Sequence, residues 1–178
     1  MRRSIAAASL VTGVVTTALA CPLPASAEQS GTTPVTLSVT SGTLDISVPT
    51  GPVALGSVGT SATPQTISNQ LGNVTVTDSR GGTAGWVVTA NGTDFVGPQN
   101  ISVSAPGSSS YTTPAANTTG TVNVTPSNLS PLYPPGPVQT ATGVSGNNTA
   151  TWNPIISVTI PANALAGTYN ASITHSVA

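Results

Sequence analysis

The residues able to do chemistry are few: one histidine, His175; one arginine beyond residue 3, Arg80; one cysteine, Cys21; and four acids, Glu28, Asp45, Asp78 and Asp94. A Ser-His-Asp triad is formally available through His175. No Gly-x-Ser-x-Gly elbow is present to hold the serine, and a structural or exposed role suits a histidine in a terminal strand better. Glycoside hydrolysis needs two carboxylates facing each other, and Asp45, Asp78 and Asp94 are scattered. Zinc needs clustered His or Cys, and calcium needs several converging oxygens; the single His and the absence of Asp-x-Asp spacing speak against both. From these residues no catalysis, metal or cofactor is expected.

Charge excludes further classes. A signal peptide is expected over residues 1–27: Met1-Arg2-Arg3, an apolar run from Ile5 to Ala20, and a small-residue cut site at Ala25-Ser26-Ala27. Lipidation of Cys21 is the alternative anchor. Cleavage leaves Arg80 against the four acids, a formal charge of −3, with no lysine, no cysteine and no expected transmembrane span. Nucleic acid and anionic lipid both require a basic patch, so neither is an expected partner. Residues 28–34 read as a flexible lead, and residues 35–178 as one domain of a size that one core can serve.

The elements that must position these residues alternate oily and hydroxyl side chains. Val35, Leu37 and Val39 predict a strand, Ser41-Gly42 a hairpin turn, and Leu44, Ile46 and Val48 its return. A short strand is open over residues 53–58, and strand or bend over residues 67–71. Val74 and Val76 predict a strand into the corner Asp78-Ser79-Arg80-Gly81-Gly82, and Trp86 and Val88 a strand out of it. At that corner a carboxylate can cap amides and a guanidinium can bond loop carbonyls, so Asp78, Arg80 and Gly81 read as a structural turn.

Short strands are expected at Ile101–Val103 and Val122–Val124. The five prolines of residues 126–137 predict a surface loop with Leu129, Leu132 and Tyr133 packing down. Residues 143–148 read as a turn. The strands of residues 156–160 and 169–173 follow, with Trp152 just ahead of them. Trp86 and Trp152 could stack on a sugar, but in a chain of this size burial is the expected role. No apolar pattern keeps helical spacing over three turns. The expected fold is all-β: a single antiparallel β-sandwich, Ig-like or a related Greek key.

Val-x-Asp-x-Arg-Gly followed by Gly-Trp-Val-Val-Thr, over residues 76–89, resembles the first motif of WxL-domain proteins, secreted β-proteins of Gram-positive bacteria. Tyr169, Ile173, Thr174, His175 and Val177 resemble its second motif, Tyr-x-x-x-Leu-Thr-Trp-x-Leu. Here His175 stands for the second tryptophan, and Val88 and Val177 for leucines. The resemblance implies a secreted, cell-surface protein that binds peptidoglycan or its attached polymer, with Trp86, Val88, Tyr169 and His175 contributing. The alternative is a structural or adhesin subunit that assembles with itself or another surface protein. Its candidate edges are residues 35–39 and 156–177.

Overall fold

The computed structural model describes residues 30–178, so the signal peptide and Cys21 lie outside the described residues. By its internal contacts the chain divides into two units, residues 1–38 and residues 39–178. In the first, residues 30–38 carry no regular secondary structure and are exposed.

The second unit is all-β and holds eleven strands: β1 (Leu44–Ser47), β2 (Gln65–Gln70), β3 (Val74–Asp78), β4 (Trp86–Gly92), β5 (Phe95–Val96), β6 (Asn100–Ile101), β7 (Ser109–Thr112), β8 (Asn117–Pro126), β9 (Gly136–Trp152), β10 (Ile155–Ile160) and β11 (Ile173–Val177). Every pairing is antiparallel. The spine is β9. Along one side it carries β8; along the other, its C-terminal half pairs with β3 and its N-terminal half with β4. Outside these lie β1 on β3 and β11 on β4, and a separate sheet runs β2-β10-β7. Among the described residues no helix is long and apolar enough to cross a membrane.

Alternation sets the core. Val74, Val76, Trp86, Val88 and Ala90 point inward from β3 and β4, while Ala150 and Trp152 do so from β9. They meet Ile156 and Val158 of β10 and Tyr111 of β7 in one cluster. A side chain at Gly85 would collide with the Ala141 carbonyl, so the residue before Trp86 must be this small for β4 to lie against β9.

β3 and β4, on either side of the Asp78 corner, pair with opposite ends of β9 rather than with each other. Several expectations are corrected. Residues 35–39 form no strand, and Val35, Leu37 and Val39 are 89%, 93% and 88% exposed. The expected hairpin turn is used otherwise: the Gly42 N–H donates to the Ser79 carbonyl and the Ser79 N–H to the Thr43 carbonyl, extending the β1–β3 ladder. No strand covers residues 53–58. Residues 143–148 do not turn but continue β9, with positive φ at Gly143 and Gly146 where the ladder to β8 shifts register. The last strand starts at Ile173, since before it only Asn170 bridges, to Val96. Within residues 156–177, β10 is a central strand and not an edge.

Candidate functional site

The corner residues are joined into one hydrogen-bonded string. Asp78 Oδ1 accepts from the backbone N–H and Nε of Arg80 at 3.1 and 2.9 Å, and Oδ2 accepts from Nη2 at 2.9 Å. The same Nη2 donates to the carbonyls of Ala84 and Gly85, both at 3.2 Å, closing the corner around Gly81, whose φ is +67°. The Arg80 guanidinium, bonded to Asp78, holds that carboxyl down at about 2, and the carboxylate in turn raises Arg80. Asn148 continues the string: its Nδ2 lies 3.4 Å from Asp78 Oδ2, and its Oδ1 accepts from the Trp86 indole at 3.2 Å. Asn148 escaped the sequence reading because its Gly-Asn-Asn setting looks like a turn.

A second string crosses between sheets. The Trp152 indole donates to the Tyr111 hydroxyl at 3.1 Å, and that hydroxyl lies 2.9 Å from His175 Nε2, with the rings edge to face. Since the hydroxyl already accepts from Trp152, donating its own proton to Nε2 leaves Tyr111 satisfied and places the histidine proton on Nδ1. Nδ1 is buried and has no partner. Burial lowers His175 to about 4 and raises Tyr111. His175 backs a small apolar crevice of about 230 Å³ walled by Val48, Leu55, Leu71, Phe95 and Ile156. A neutral imidazole bonded to a phenol in apolar surroundings is a structural joint.

The open concavity lies elsewhere. A recess of about 680 Å³ is bordered by Asn91, Thr93, Asp94, Asn100, Tyr133 and Asn170. Its floor is fixed: Asp94 accepts from the Val103 N–H and from Asn100 Nδ2, both at 2.9 Å, which lowers its pKa. Thr93 is bonded to Ser172 through both N–H and hydroxyl, and Asn170 exchanges two backbone bonds with Val96. Asn91 Oδ1 is buried without a partner. Tyr133, expected to pack down, is 52% exposed, while its neighbour Leu132 is fully buried and its carbonyl accepts from the Gly92 N–H.

The four residues implied by resemblance do not share a surface. Trp86 and Val88 are buried in the core, 2% and 0% exposed, and cannot present a face to a ligand. Tyr169 is half-buried against Gly97, with its hydroxyl on the Leu165 carbonyl at 2.7 Å. His175 faces inward. Family models, curated proteins and solved structures give no match to this chain. The recess residues were hidden in sequence because Asn91-Gly92 and the proline-rich loop read as connections; only the density of amide and hydroxyl side chains across residues 91–100 hints at a polar floor.

Proposed function

We propose that this chain is a secreted, non-catalytic surface protein that associates non-covalently with the polymer of a Gram-positive cell wall, using the recess beside Tyr133. The observation that carries the reading is an exposed phenol standing over amide, hydroxyl and carboxylate groups that are already held in place. Sugar rings offer an apolar face for stacking and hydroxyl or acetamido groups for bonding, and a pre-ordered floor lowers the entropy lost on binding. The resemblance of residues 76–89 and 169–177 to the WxL motifs supports the same destination. In this reading the motif tryptophan builds the domain rather than touching the polymer.

The test is retention on insoluble peptidoglycan. Wild-type protein is expected to pellet with it and to be released by soluble wall glycan, and Tyr133→Ala to weaken retention roughly threefold to tenfold, or about 0.5–1.5 kcal/mol. A wild-type chain that stays in the supernatant overturns the reading.

A further inference from the structure

Val35, Leu37 and Val39, between 88% and 93% exposed, alternate with Thr36, Ser38 and Thr40, and Pro34 stands just ahead, at a position a strand tolerates. This is a strand pattern without a sheet. Residues 31–44 carry no charge, so nothing in the segment marks it as a solvated tail. Its obvious partner within the chain would be β1, reached through a turn at Ser41-Gly42. That turn is taken, since Gly42 and Thr43 are bonded to Ser79, and a side chain at Gly42 would meet Ser79 at 2.8 Å.

The domain also carries an edge without a strand. β8 is ten residues long and pairs only with β9, leaving its other side open. Its sequence, NTTGTVNVTP, contains neither the charge nor the inward-pointing lysine with which sheet edges are commonly protected. Val122 and Val124 lie half-buried on its core-facing side. The remaining edges are shorter or occupied: Tyr111 of β7 exchanges two backbone bonds with Leu129, and Gln65 and Asn69 of β2 hold the carbonyls of Gly59 and Ala54. β1 has four residues and includes Asp45, and β11 has five.

We infer that residues 35–39 of one copy add as a strand to the open edge of β8 in a second copy. Backbone bonds would supply the affinity, and Val35, Leu37 and Val39 would lengthen the apolar row begun by Val122 and Val124. The β8–β9 ladder shifts register on both sides of Thr121, with positive φ at Gly120, so its longest regular run is residues 123–126, and the donor would centre there. A second copy is the occupant because every copy carries both an exposed strand pattern and an open edge, and the acids at Glu28, Asp45, Asp78 and Asp94 lie outside both segments, so copies do not oppose like charges there. Donor and acceptor are different surfaces, so the contact is heterologous and gives either a reciprocal pair or an open chain of subunits. This assembly is independent of wall binding.

Sedimentation velocity of the exported chain and of Leu37→Lys over a concentration series tests it, with amide hydrogen exchange on dilute and concentrated samples. The wild type is expected to gain mass with concentration and to gain protection in residues 35–39 and in β8, and Leu37→Lys to remain monomeric. A peptide of residues 33–40 should then bind the monomeric variant saturably, and the same peptide carrying Leu37→Lys should bind roughly tenfold more weakly or not at all. The inference is overturned by a wild type that stays monomeric at every soluble concentration, by assembly unchanged in Leu37→Lys, or by protection gained at another edge.

Discussion

The Tyr111 hydroxyl, from the β2-β10-β7 sheet, and His175 Nε2, from the edge of the larger sheet, lie 2.9 Å apart and join the two sheets by a buried polar contact. Trp152 bonds the same hydroxyl from the spine strand. The joint ties three strands through one phenol, and it makes stability depend on the charge of the imidazole.

That dependence has a definite sign. His175 titrates near 6.5 when unfolded and at about 4 when folded, so between these values the unfolded chain binds the extra proton. Stability is therefore full above about pH 6.5 and falls as the pH drops toward 4, by on the order of 3 kcal/mol in total. Urea unfolding at intervals through this window should trace the loss, and His175→Phe should flatten it. An unchanged slope in that variant would show that another group is responsible.

Tyr111→Phe removes the shared partner while filling the same space. The Trp152 indole N–H and His175 Nε2 are then both left buried without a bond, at a cost of roughly 1–3 kcal/mol. Chemical denaturation measures the loss, and the near-ultraviolet signal of Trp152 should shift with it.

At the other end of the core, Asp78→Ala should cost roughly 1–3 kcal/mol, because its carboxylate, 2% exposed, satisfies the Arg80 N–H and guanidinium and borders Asn148. Its acid signature is separate from that of His175. With a folded value of about 2 against 3.8, the contribution is complete above pH 3.8 and is lost between there and pH 2. Acid unfolding of the variant should lack this lower limb.

How far the sequence carries can be judged at these same residues. Alternation at Val74, Val76, Trp86 and Val88 makes two inward-facing strands legible, since a period of two places all four on one side. Nothing local says that each will pair with a different end of β9, because partner choice depends on residues some sixty positions away, as the Trp86–Asn148 bond illustrates. Residues 35–39 mark the opposite limit. Their pattern is as clean as that of β3, yet a pattern states only which face wants burial, and within this chain no sheet takes it up. The recess is hidden for a further reason: its floor is assembled from turn residues, whose Asn, Thr and Asp side chains signal a loop whether or not a ligand sits on them.

Leu132 and Tyr133 offer the sharpest separation of fold from site. Leu132→Ala empties a fully buried position bonded through its backbone to Gly92 and Ser109, and should cost roughly 2–5 kcal/mol. Tyr133→Ala trims a side chain that is half in water, and should leave stability within about 0.5 kcal/mol of wild type. Thermal unfolding of both variants beside their retention on peptidoglycan distinguishes the roles: retention lost with stability kept at position 133 places binding at the recess. Equal loss of stability at both positions would instead make the proline-rich loop part of the core, and the phenol one more of its packing residues.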